Sequence, residues 1–117
     1  METNSNPPFG LNMDRSLRVV VETAIMDWEA SPSAGVERKK LERAGDESGL
    51  VTSVVRYEPG SIFSEHAHPL GEEIFVLSGV FADEHGDYPA GSYLRNPPGS
   101  RHSPRSPQGC ELLVKLD

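Results

Sequence analysis

The sequence predicts an all-β chain whose short strands close into a sandwich or barrel. Its 117 residues include 11 glycines and 10 prolines, a turn density that suits many short strands rather than a helical bundle. From residue 50 onward, β-branched and aromatic runs alternate with Pro/Gly turns at regular spacing. No segment carries the 3.6-residue apolar repeat of an amphipathic helix of any length.

The elements follow in order. Residues 1–14 are polar, with Pro7, Pro8 and Gly10, and read as a flexible arm, with residues 15–117 as one domain. Leu17–Ala24 (LRVVVETA) is β-branched and strand-like. Asp27–Gly35 reads as a loop anchored by Trp28, and Val36–Leu41 (VERKKL) as an edge strand with a polar outer face. Ala44–Gly49 (AGDESG) is turn chemistry. LVTSVVRYEPG is a strand closed by Pro-Gly, SIFSEHAH a second, and PLG a turn. EEIFVLSGVFAD is a third strand, open to interruption at Gly79. The tight turn in EHGDYPAG, the short strand SYLRN, the rigid turn PPGSRH, the loop SPRSPQG and the final strand CELLVKL complete the chain.

The formal charge is −7, without a basic run, which argues against nucleic acid and anionic membrane surfaces as partners. No apolar stretch approaches the roughly 20 residues needed to span a bilayer. The N-terminus METNSNPPFG lacks the apolar core of a secretory signal. One cysteine, Cys110, excludes an intrachain disulfide framework, so a reducing cytoplasm is expected.

The chemistry is concentrated in GSIFSEHAHPLGEEIFVLSG, residues 60–79. Strand alternation puts Ile62, Ser64, His66 and His68 on one face, and Phe63, Glu65 and Ala67 on the other. Two imidazoles two residues apart on a strand suit coordination of one ion. A tight Pro69-Leu70-Gly71 turn brings Glu72 close to His68, and that face continues as Ile74 and Val76. His102, after the Pro97-Pro98-Gly99 turn, is the fourth candidate, because a turn of fixed direction can aim a distant ligand. Imidazoles with one carboxylate suit divalent iron, manganese, nickel, copper or zinc. Four ligands leave two positions open on an octahedral ion, or close a tetrahedral zinc site.

These spacings match a known family. Gly60, five residues, His66-x-His68, three residues, Glu72, six residues and Gly79 fit the first cupin motif. Gly91, five residues, Pro97-x-Gly99, two residues and His102 fit the second, with Ser106 where asparagine commonly stands. From about residue 28 to 117 the chain resembles the cupin domain of ChrR-type anti-sigma factors. It is also similar to single-domain cupins of the acetylacetone dioxygenase and 2,4′-dihydroxyacetophenone dioxygenase types. The resemblance implies a small cupin β-barrel (a double-stranded β-helix, or jelly roll). It also implies one divalent transition metal on His66, His68, Glu72 and His102, and a homodimer. The expected function is that of a metal-dependent dioxygenase on a β-diketone or hydroxyketone. The alternative is a non-catalytic zinc-binding sensor or ligand-binding module, and an isomerase of a sugar or small acid is a third, weaker option. The sigma-gripping N-terminal zinc module of ChrR-type proteins has no counterpart in this sequence, which argues against direct sigma binding.

Glu73 and Arg95 are weak catalytic candidates. Glu73 alternates to the face opposite Glu72, and Arg95 or Arg56 could orient an anionic substrate from inside the barrel. His85, in a turn, is expected to be exposed and not a ligand. Cys110 is expected to be a small buried hydrophobe. Ile62, Phe75, Tyr93 and Val114 are expected in the barrel packing.

Overall fold

The structure, a computed structural model, describes residues 5–6, 10–45, 50–63 and 66–116, with side chains at all of these except 5, 6, 66 and 67. Its strands are β1 (Ser5–Asn6), β2 (Gly10–Leu11), β3 (Glu29–Ala30), β4 (Val36–Arg43), β5 (Val51–Tyr57), β6 (Ser61–Ile62) and β7 (His66–Ala67). There follow β8 (Glu72–Asp83), β9 (Gly86–Pro89), β10 (Tyr93–Asn96), β11 (Arg101–His102), β12 (Arg105–Ser106) and β13 (Cys110–Leu116). A single 3₁₀ turn, Thr23–Ile25, is the only helical element among the described residues. Among the described residues, no helix is long and apolar enough to cross a membrane.

The wall of the barrel runs β4–β5–β13–β8, antiparallel throughout. Its inner face buries Val36, Tyr57, Ile74, Val76, Phe81, Cys110, Leu112 and Val114, with Tyr57 edge-on to Phe81 at 5.7 Å. This apolar surface is the main stabilising term. The long strand β8 serves two sheets. Residues up to Gly79 pair with β10 and β13, and residues 80–83 pair with β9 and β12. Gly79 bends the strand without ending it: its φ is +73°, and a Cβ there would stand 2.1 Å from the Gly109 carbonyl oxygen. The bend also resets the alternation, since Glu72, Ile74 and Val76 are buried before it and Phe81, Ala82 and Asp83 after it.

Several expectations are corrected. Leu17–Ala24 forms no strand, although its residues favour one: on the side of β4 away from β5, β3 pairs at Glu37 and Arg38 and β2 at Arg43, which leaves only residues 39–42 between them, too short a ladder for this stretch. For the same reason β4 is not an edge strand, and it extends to Arg43. SIFSEHAH is not one strand: β6 pairs with β12 and β7 with β11, in different sheets. Alternation therefore does not carry across it. Ile62 is 66% exposed, whereas Phe63 packs against the core. Phe75 and Tyr93 are not barrel packing either; both point outward, 40% and 57% exposed, while Val114 is buried as expected. Most of the expected arm, residues 1–4 and 7–9, lies outside the described residues, as do residues 46–49 of the expected turn.

Candidate functional site

The site is assembled by two turns that share one peptide. The His68 carbonyl oxygen accepts hydrogen bonds from Gly71 N at 3.2 Å, within the Pro-Leu-Gly turn, and from Gly99 N at 2.9 Å, in the Pro-Pro-Gly turn. His68 N donates to Ser100 O at 3.3 Å. Gly71, at φ +97°, lies so close to the second turn that a Cβ would meet Asn96 O at 3.1 Å. The rigid turns thus hold each other, and the strands leaving them deliver Glu72 and His102 to the neighbourhood of His68.

There, His102 Nε2 lies 3.0 Å from Glu72 Oε1, and His68 Nε2 lies 3.3 Å from Glu72 Oε2. The two Nε2 atoms are 3.4 Å apart. All three side chains are buried, and one donor atom from each falls within 4.8 Å of the others. Asn96 Nδ2 donates to Glu72 Oε1 at 3.1 Å, and its Cα is the cross-strand partner of Glu72. Burial pushes the Glu72 carboxyl up, but the His102 hydrogen bond and the nearby His68 charge outweigh it and hold it below the usual carboxylate range. Burial likewise pushes His102 down, and the Glu72 carboxylate more than reverses this, raising it above the ordinary imidazole value. Two imidazoles and an ionised carboxylate converging on one point are a donor set that fits a transition-metal ion.

The three residues face a cavity of about 90 Å³. Most of its lining is apolar, including Val55, Phe63, Ile74, Phe81 and Leu112, with Ser31, Arg38, Ser53 and Tyr57 as further residues that carry polar groups. Burial, with the Glu72 charge next, drives the Tyr57 phenol far above its ordinary range, so it stays protonated.

Of the four expected ligands, the structure brings together His68, Glu72 and His102. The His66 side chain lies outside the described residues; its backbone is the cross-strand partner of His102. Glu73 and Arg95 are not brought to the cluster. They pair with each other in register on the outer face of β8 and β10, where the Tyr93 hydroxyl donates to Glu73 at 2.7 Å. Arg56 is outside as well, with its guanidinium 4.2 Å from the Trp28 ring and ion-paired to Glu37. His85 is exposed and Cys110 buried.

Residues 16–117 match the family model of the ChrR cupin-like domain. The chain belongs to that family. No curated protein matches this cupin. Among solved structures, it superposes on a proposed acetylacetone dioxygenase from Methylibium petroleiphilum PM1 with TM-score 0.76 and 23% identity, over 86% of this chain and 76% of that one. An acetylacetone dioxygenase from Acinetobacter johnsonii gives 0.75 and 20%, over 90% and 77%. A chain of the Rhodobacter sphaeroides SigE complex with the anti-sigma ChrR gives 0.67 and 22%, over 82% of this cupin and 51% of its own length. The cupin therefore spans about half of that chain. At these identities the likenesses establish the fold.

Arg38, Tyr57, Asn96 and Asp83 were not singled out from sequence. Alternation within VERKKL does place Arg38 on the face of Val36, and Asn96 stands directly before the proline of the second motif. Tyr57 and Asp83 carry no comparable signal.

Proposed function

We propose that this cupin binds one divalent transition-metal ion through His66, His68, Glu72 and His102, and acts as a metal-dependent dioxygenase on a small β-diketone or hydroxyketone. The observation that carries the proposal is the buried convergence of His68, Glu72 and His102 in the wall of a mostly apolar cavity. His66 fits as a fourth ligand because its backbone is paired with that of His102. When bound, an iron-type ion supplies Lewis acidity and dioxygen chemistry. The chain's own part is to bind, orient and exclude water. Glu72, ionised and held by Asn96, supplies the negative charge of the ligand set. The apolar wall holds a carbon skeleton and keeps water out, and a cavity of about 90 Å³ limits that skeleton to a few atoms. Arg38 brings a positive charge and the Tyr57 hydroxyl a donor, both suited to the oxygens of an enolate or ketone.

Elemental analysis of the purified protein, with oxygen uptake on pentane-2,4-dione, tests this. Bound iron and substrate-dependent uptake are expected. Tightly held zinc, with no turnover after iron(II) reconstitution, would favour the second reading, a non-catalytic zinc-binding module. The match to a chain of the SigE–ChrR complex supports that alternative. The single buried cysteine and the charge of −7 support a reducing cytoplasm and a small-molecule ligand rather than nucleic acid. A homodimer is supported by the outer sheet face, where exposed Phe75 stands in register between Tyr93 and Leu113. Light scattering of Phe75→Asp should then give a monomer.

A further inference from the structure

Asp83 ends β8 and is only 3% exposed, yet it is not one of the three clustered donors. A buried carboxylate is costly unless its oxygens are occupied. One oxygen of Asp83 is occupied twice: Oδ1 accepts from the Tyr88 hydroxyl at 2.8 Å and from the His85 backbone N–H at 2.8 Å. Tyr88 comes from β9, the partner of this end of β8, so the β8–β9 hairpin itself fixes the carboxylate's orientation. The other oxygen, Oδ2, then faces His102 Nδ1 at 4.0 Å. At this distance the two groups are in ion-pair contact, longer than a hydrogen bond. The opposite ring nitrogen, Nε2, is the one that faces Glu72 and His68.

We propose that Asp83 is a positioning residue, anchored by Tyr88, that keeps the proton of His102 on Nδ1 and so presents the Nε2 lone pair to the metal. The proposal rests on the metal-site reading above. A ligand histidine whose second nitrogen is held by a carboxylate has a fixed tautomer and ring plane, and loss of such a partner typically weakens metal binding about 10–100-fold.

The test is zinc binding by titration calorimetry to the wild-type chain, Asp83→Asn and Tyr88→Phe, with thermal melting of each metal-free protein. Asparagine keeps an acceptor oxygen for Tyr88 and His85 but turns an amide donor toward Nδ1–H. Asp83→Asn is expected to weaken zinc binding about 10–100-fold with little change in metal-free melting. Tyr88→Phe, which leaves the carboxylate in place but unanchored, is expected to weaken it by less. Nitrogen-15 NMR of the zinc-loaded wild type should find the His102 proton on Nδ1. If Asp83→Asn does not fold, Tyr88→Phe and the tautomer decide. Wild-type affinity in the folded variants, or a proton absent from Nδ1, would overturn the role of Asp83 alone. Failure of zinc to bind the wild-type chain would overturn the metal site itself.

Discussion

Replacing Glu72 with glutamine keeps the side chain's shape and removes its charge. In the metal-free protein that charge lies 3.0 Å from His102 and 3.3 Å from His68, with Asn96 at 3.1 Å. An amide oxygen can still accept from Asn96, so the main loss is one charge-assisted hydrogen bond, about 1.5–3 kcal/mol. Part of this is offset because a neutral amide is cheaper to bury. A net loss of about 2 kcal/mol is expected, which moves the urea midpoint by roughly 1 M for a chain of this size. The effect has a defined pH dependence. Glu72 is lowered in the folded state, so its contribution is present above the ordinary value of 4.5 and is lost as pH falls through the lowered value. His102 is raised, so its contribution is full below the ordinary value of 6.5 and is lost as pH rises through the raised value. The difference between wild type and Glu72→Gln should therefore peak between these two values and shrink on either side. Urea unfolding in the presence of a chelator, repeated across pH, measures it. A difference that is flat with pH, or a variant more stable than wild type, would refute the buried pairing.

Three further outcomes are expected. His66→Ala, His68→Ala and His102→Ala should each lower bound metal sharply in elemental analysis, whereas His85→Ala should not. Because His102 must lose its proton to coordinate, and its pKa is raised, metal affinity in a pH titration should weaken as the pH is lowered, with the loss already under way before pH 6.5 is reached. Affinity constant down to pH 5 would speak against His102 as a ligand. Gly79→Ala should cost several kcal/mol in thermal or urea melts, since its Cβ would enter the Gly109 carbonyl; Gly60→Ala, at φ +84° with open space around it, should cost only about 1–2 kcal/mol.

What was legible in the sequence divides along physical lines. The positions of His68, Glu72 and His102 were legible because the intervening Pro/Gly turns have narrow geometry, and turn geometry is a local property. Strands β5, β8, β10 and β13 were legible for the same reason, whereas β9, β11 and β12 fall in segments read as turns or loop, and SIFSEHAH divides between two sheets. Side-chain direction was legible only within an uninterrupted strand. Glu72, Ile74 and Val76 share the inner face as expected, but the change of sheet between β6 and β7 separated Phe63 from the face assigned to it. Phe75 and Tyr93 mislead because hydrophobicity alone does not say which face of a sheet is the core. The fate of Leu17–Ala24 was not legible, because a strand needs a free ladder and ladder occupancy is a tertiary property. Asp83 was hidden for a similar reason: its meaning comes from Tyr88 and His102, one across a hairpin and the other on a distant strand.

The shared His68 carbonyl has a consequence for the order of events during synthesis. A chain that has emerged only as far as Pro98 carries His68 and Glu72, but neither the Gly99 amide that clasps the first turn nor His102. The donor set becomes complete only when His102 has been delivered, 34 residues after His68, and β13 must still enter between β5 and β8 to close the wall behind it. Convergence of the cluster thereby waits on the second turn, so a gathered His68, Glu72 and His102 set reports that both turns have closed.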